Sequence, residues 1–274
     1  MQETNTKSLK KQLAAAIAML LVAVVALGSA TYAWFVSNNT VTAETTNISA
    51  QSNSAFLLID KQETTTASET KCSYQTNPVT EKALYPAQVT ANGIWQSAYA
   101  SKRNESTEKT DTRFTIQSNG KTAGSAEAAV AENYAITHKF YIGTGTYDGE
   151  FTDLKVTNMT LSAPTADIAN AMRVLVKCGD NWQVWKYDSA QSKGVQVTTY
   201  KTTAENVVAL AGQASVIKDR LGKTAGDAEV DVYIYYDGAD TQINSDNLTD
   251  LATGCGVTLT FEATPVTHGA GTGA

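Results

Sequence analysis

Between residues 134 and 263 the apolar side chains recur with a period of two, which restricts much of the chain to strands with one buried and one wet face. In "EVDVYIYYDG", Val230, Val232, Ile234 and Tyr236 alternate with Asp231, Tyr233 and Tyr235. "GVTLTFEAT" alternates Val257, Leu259, Phe261 and Ala263 with Thr258, Thr260 and Glu262. "YAITHKFYI" sets Tyr134, Ile136, His138, Phe140 and Ile142 on one face. "FTDLKVTNMTLSA" holds the alternation at Leu154 and Val156, then shifts phase toward Met159 and Leu161, as a β-bulge would require. "AMRVLVKC" and "NWQVWKYD" follow, joined by the turn sequence "GDN", and "GVQVTTY" supplies another short strand. Strands of this kind, separated by Gly, Asp and Asn, predict a mainly β fold. The expected architecture is an antiparallel, jelly-roll-like β-sandwich over residues 52–264.

Two short helices interrupt the pattern. "TADIANAMR" offers Thr165 as N-cap and leads directly into a strand. "TTAENVVALAGQASVIKDRLG" predicts a longer helix, with Thr203 as N-cap and Gly222 as its stop. Residues 61–133 read as a long, polar, loop-rich insertion. Within it "ALYPAQV", "GIWQSAY" and "TRFTIQS" are the short structured pieces, and Cys72, in "ETKCSYQ", belongs to a loop. The tail, residues 265–274, is expected to be flexible. It carries no LPxTG-type sorting motif.

At the N-terminus three lysines precede "LAAAIAMLLVAVVALGSATYA". A positive region, an apolar run and an A-x-A-like site, here "TYA", make up a secretory signal over residues 1–33. The favoured reading is cleavage between Ala33 and Trp34. The same run is long enough to span a bilayer as an uncleaved helix, at roughly 20 residues, and both readings export the remainder. The whole chain carries a formal charge of -6, and the leader is positive, so the exported body is more acidic still. An acidic body without a basic run excludes nucleic acid as a partner, whose phosphates need Lys and Arg.

In an exported chain three cysteines raise the question of disulfides. Cys178 shares parity with Met172, Val174 and Val176, and Cys255 with Val257, Leu259 and Phe261, so both thiols should face inward. They either bridge the core as a disulfide or sit there as small buried hydrophobes.

Residues able to carry chemistry are few. His138 alternates with core residues and reads as structural, and His268 sits in the tail. The sequence has no HExxH, CxxC or GxSxG motif, and two distant histidines make no metal face. "GTGTYDG" (143–149) lacks the Lys and helix of a phosphate loop and reads as a hairpin turn. "DGADTQINSDNLTD" gathers Asp237, Asp240, Asp246 and Asp250 with Asn244, but without EF-hand spacing it reads as a solvated acidic loop rather than a calcium site. Asn104 and Asn158 head N-x-S/T matches of the kind any Asn- and Thr-rich chain contains. No catalytic residue, cofactor or metal is expected, and the chain is not read as an enzyme.

With these residues in view, the junction "ATYAWFVSNNTVTAETTNISA" resembles the specialised signal of TasA/camelysin-type secreted proteins of Gram-positive bacteria, through Ala33, Trp34, Phe35 and Asn38. "ALYPAQVTANGIWQSAYA" is similar to a family segment built around Pro-Ala-Thr, with Gln88 in place of the usual Thr. "ADIANAMRVLVK" resembles the family's helix-to-strand step through Ala171, Arg173 and Val174. "VYIYYDGAD" resembles its W-x-E-G-x-D turn through Tyr235, Asp237, Gly238 and Asp240, and "VTLTFEAT" its last strand.

The resemblance implies a jelly-roll subunit of extracellular fibres in biofilm matrix or on cell surfaces, trimmed by a dedicated signal peptidase. Its partners would be further copies of itself and other matrix or surface proteins. Cleavage would free residues 34–51 as an N-terminal arm bearing Trp34, Phe35, Val36, Val41 and Ile48, suited to donor-strand exchange with the next subunit. The alternatives are folding of that arm onto its own body, a monomeric surface protein or adhesin held by an uncleaved helix, and a secreted metallopeptidase. Some relatives carry that last label, but it transfers poorly to a chain without recognisable metal ligands.

Overall fold

A computed structural model describes residues 19, 48–52, 57–61, 71–74, 84–100, 111–162, 166–201, 207–210, 215–240, 243 and 256–266. The chain divides into Met1–Thr42 and Ala43–Ala274. Of the first unit only Met19, helical and exposed, is described. Among the described residues no helix is long and apolar enough to cross a membrane.

Two sheets face each other across a common core. One has five strands in the order β14 (Lys218–Gly222), β8 (Glu150–Ser162), β16 (Gly256–Pro265), β1 (Ile48–Ser52) and β3 (Lys71–Tyr74). The other has six, in the order β11 (Lys193–Gln196), β10 (Asn181–Asp188), β9 (Met172–Cys178), β15 (Ala228–Tyr236), β7 (Ile136–Gly143) and β2 (Leu58–Asp60). Phe151, Leu154, Met159, Leu259 and Phe261 from the first sheet meet Phe140, Ile142, Val174, Val176, Val230 and Val232 from the second. Every pairing in these sheets is antiparallel except that of β1 with β16. The fold is mainly β and sandwich-like, as the period-two pattern predicts.

Local details follow the same pattern. On β8, Thr260 pairs with Asn158 and the next residue, Phe261, with Val156. Thr157 is therefore the extra residue, and the bulge falls where the apolar phase shifts. A second irregularity separates Glu262 from Thr264, opposite Asp153, whose φ is 59°. β9 and β10 form a hairpin with a two-residue loop in which Gly179 takes a φ of 60°, a conformation that costs glycine little.

The structure departs from expectation in several places. Residues 84–100 and 111–135 form a third layer instead of a mainly loop-like insertion. β4 (Ala87–Val89), β5 (Trp95–Ala100) and β6 (Asp111–Thr115) make a small sheet, followed by the helix α1 (Ala126–Ala131). Ser125 caps α1 by accepting a hydrogen bond from the Ala128 N–H at 3.1 Å. This layer covers the outer face of the six-stranded sheet and creates a second core of Trp95, Ile116, Ala128, Leu175, Trp182 and Tyr233 with its neighbours. Tyr233 and Tyr235, expected to face water, are consequently buried, at 5% and 3% exposure.

The other departures are local. Cys72 lies on β3 and is buried, because a short polar edge strand still turns one face inward. The helix expected after Thr203 is replaced where described by the strands β13 (Val207–Ala209) and β14; Thr203 itself lies outside the described residues. Paired partners decide the matter: β13 pairs with β12 (Thr199–Lys201), and β14 with β8. Gly222 closes a tight loop with Gly226 through reciprocal backbone bonds of 3.1 and 2.7 Å. Finally, "GTGTYDG" is a turn, with Tyr147 N–H donating to Thr144 at 3.0 Å, but it carries the chain from one sheet to the other and so closes no hairpin. The second short helix, α2 (Ala166–Ala171), runs directly into β9 as predicted, while its expected cap Thr165 lies outside the described residues.

Candidate assembly surface and the Arg173 corner

Of the sequence-predicted cleavage and assembly residues, Ala33, Trp34, Phe35, Val36 and Val41 lie outside the described residues. Ile48 is described. It opens β1, pairing with Val257 on one side and Tyr74 on the other. Ala50 likewise sits between Leu259 and Cys72. β1 is thus an interior strand whose backbone is held from both flanks. The end of the expected arm, Ile48–Gln51, folds back into its own sheet.

This slot has an unusual character. β1 runs parallel to β16 and antiparallel to β3. A parallel ladder cannot be closed by a tight turn, so β1 reaches its place from elsewhere in the chain and separates β16 from β3. Without it, the Gly256–Phe261 side of β16 would present a row of unpaired N–H and C=O groups, a template for any extended segment.

A second cluster joins two motifs noted separately in the sequence. Arg173, at the start of β9, places Nη2 3.0 Å from Asp237 Oδ2 and 3.1 Å from Asp240 Oδ2. Its Nη1 donates to the Asn170 and Met172 carbonyls at 2.6 and 3.0 Å. Burial would lower the guanidinium pKa, but Asp237 and Asp240 outweigh it and raise it above the ordinary value. The turn carrying the carboxylates is itself tied down. Asp237 N–H donates to Ala171 at 2.8 Å, Gly238 N–H to Ala87 at 3.1 Å, and Ala239 N–H to Asp237 Oδ1 at 3.0 Å. Gly238 passes so close to β5 that a Cβ there would collide with the Ala98 carbonyl. The corner therefore locks the α2–β9 junction, the end of β15 and the third layer together.

Asp237 and Asp240 turn toward Arg173, while Asn244, Asp246 and Asp250 lie outside the described residues. No group of three or more His, Cys, Asp or Glu able to hold a metal occurs among the described residues. His138 is buried on β7, and burial lowers its pKa to about 4, so the ring is neutral near pH 7. Cys178 is buried, and burial raises its thiol pKa. Its proposed partner Cys255 lies outside the described residues.

Sequence reasoning missed the third layer's anchor. Trp95 lies edge-on to Tyr235 and Tyr233, with ring centroids 4.8 and 5.9 Å apart. The available signal was the alternation of two tyrosines with core residues on β15, too apolar a pair for a wet face. No family model, curated protein or solved structure matches the chain.

Proposed function

We propose that this protein is a structural subunit of an extracellular or cell-surface fibre, with a jelly-roll body, assembled head-to-tail through its N-terminal segment. The observation that carries the proposal is the β1 slot: the first described strand completes a sheet by pairing on both sides, in parallel with β16. A chain that finishes its sheet with an N-terminal strand needs little change to offer the residues before that strand to a neighbour. With Ile48–Ser52 paired at home, the part of the arm proposed for exchange is 34–47. Extended, those residues reach roughly 46 Å at ~3.3 Å each, enough to lie along a sheet edge of the next copy. Burying Trp34 and Phe35 there contributes roughly 3–6 kcal/mol before ordering costs. Because donor and acceptor are different surfaces, the contact need not close and propagates a filament.

The test is deletion of residues 34–40 with export retained, followed by negative-stain microscopy of the purified protein. The expected result is single particles where the unmodified chain forms filaments. Filaments of normal length from the deletion variant overturn the proposal.

The self-pairing of β1 favours a second reading, a monomeric surface protein or adhesin whose arm belongs to its own sandwich. Mass spectrometry of the exported chain separates the anchored form of this reading, since an N-terminus at Trp34 rules out an uncleaved anchor.

A further inference from the structure

The sequence contains Asn-Gly twice, at Asn92–Gly93 and Asn119–Gly120. Both pairs occupy turns, and the two glycines have nearly the same φ, 74° and 76°. Their amides are used differently. Gly93 N–H donates to the Thr90 carbonyl at 2.9 Å and so closes its own turn, in a half-buried position 4.0 Å from Trp182 Nε1 as measured from a Cβ built on it. In the second turn the closing bond comes one residue later, from Lys121 N–H to Ser118 at 3.1 Å. Gly120 therefore sits inside the turn, and its N–H meets no acceptor among the described residues. Asn119 and Gly120 are both exposed, and nothing stands within 4 Å of the place a Cβ would take on Gly120.

We propose that Asn119 is a site of spontaneous succinimide formation, deamidation and isomerisation, and that Asn92 is protected from the same chemistry by its fold. The Gly120 backbone nitrogen loses its proton to base and attacks the side-chain amide carbon of Asn119. A new C–N bond closes an imide ring, the bond to the side-chain nitrogen breaks, and ammonia leaves with the proton. Water then opens the ring at one carbonyl or the other, leaving aspartate or isoaspartate. One water is consumed and one ammonia released, with no oxidation or reduction. Glycine favours the attack because it puts no side chain in the path and its backbone moves freely. Asn92 is exposed like Asn119, but there the attacking nitrogen, that of half-buried Gly93, must first give up its hydrogen bond to Thr90.

The product adds a negative charge beside Lys121, and the isoaspartyl form lengthens the main chain within the Ser118–Lys121 turn. The damage stays local. Gly124 N–H remains bound to Ile116 at 2.7 Å, and Ser125 still caps α1, so β6 and α1 keep their anchors. This inference rests on turn geometry alone and is independent of the fibre reading.

The experiment incubates the full chain in mildly acid and in alkaline buffer, natively and in urea. Peptide mapping by mass spectrometry reads conversion of each asparagine, and enzymatic methylation reads isoaspartate. In the native protein Asn119 is expected to convert faster than Asn92 by about tenfold, the factor carried by one folded-state hydrogen bond. The rate should rise with pH, and urea should bring the two sites to similar rates. Asn119→Gln should abolish the converted species at that position and leave the Asn92 peptide unchanged. Native Asn92 converting as fast as Asn119, or native Asn119 staying intact while the urea sample converts, overturns the inference.

Discussion

Arg173, at the start of β9, and Asp237, just past the end of its sheet neighbour β15, share a buried ion pair of 3.0 Å in which Asp240 is a second acceptor for the same guanidinium nitrogen. The side chains are 9%, 18% and 19% exposed, so the charges are largely out of water. Removing the single cation strands two carboxylates, whereas removing one carboxylate leaves the cation paired. Arg173→Ala is expected to cost about 3–5 kcal/mol. Asp240→Asn should cost clearly less, because Asp237 remains. Urea denaturation of the two variants checks the order, and equal losses would show that the corner does not act as a three-membered network.

Gly238 tests the same corner by shape instead of charge. Its Cα lies against the Ala98 carbonyl, and its N–H is committed to Ala87. Gly238→Ala must push the turn away from β5, for about 1–3 kcal/mol or more of strain. The loosened contact should register in near-ultraviolet circular dichroism, because Trp95 opens β5 and rests on Tyr235. An alanine variant with unchanged stability and an unchanged aromatic signal would contradict the close approach.

Much of the sandwich was legible because alternation reports burial directly. The bulge at Thr157 was visible as a phase shift, and the α2–β9 junction as a helix pattern ending in a strand pattern. What sequence could not supply was the identity of each strand's neighbours. Val207–Ala209 and Lys218–Gly222 fit a helical reading until β12 and β8 are there to pair with them. The outer face of β15 looked wet until Trp95 and α1 were placed over it. One repeat shows how little a short segment decides. "GKTAGSAE" at 120–127 and "GKTAGDAE" at 222–229 differ at a single position. The first opens α1 and the second opens β15, since "AAVA" continues one and "VDVYIYY" the other. The Arg173 corner was legible only as two unconnected motifs, because contact between residues 173 and 237 is a property of the sheet order.

Cys178 gives a chemical measure of how closed the main core is. It is buried at the end of β9, and burial raises its pKa, so little thiolate is present near neutral pH. Since the thiolate is the nucleophile, alkylation of Cys178 in the native protein should be much slower than in urea, by a factor set by global or local opening. Peptide mapping after timed labelling reads this position separately from Cys72 and Cys255. Labelling at the same rate with and without urea would mean that this end of β9 is open.

His138 makes the fold sensitive to acid, with a sign that can be worked out. Its pKa falls from 6.5 to about 4 on folding because burial penalises the charged ring. Well above pH 6.5 the ring is neutral in both states, and it contributes no pH dependence. Between 6.5 and about 4 the unfolded chain takes up a proton that the folded chain refuses, so stability falls as pH falls. At pH 5 the expected loss relative to pH 7 is about 2 kcal/mol from this residue. Asp227 and Asp231 act in the opposite direction, because burial raises their pKa values and folding then favours their protonated forms in acid. Comparing the unmodified chain with His138→Leu cancels those contributions. The leucine variant should lose about 2 kcal/mol less between pH 7 and pH 5 in urea titrations, whatever its absolute stability. Parallel pH profiles for the two proteins would show that His138 is protonated in the folded state and that its place among Phe140, Ile142 and the rest of the β7 face is wetter than the structure describes.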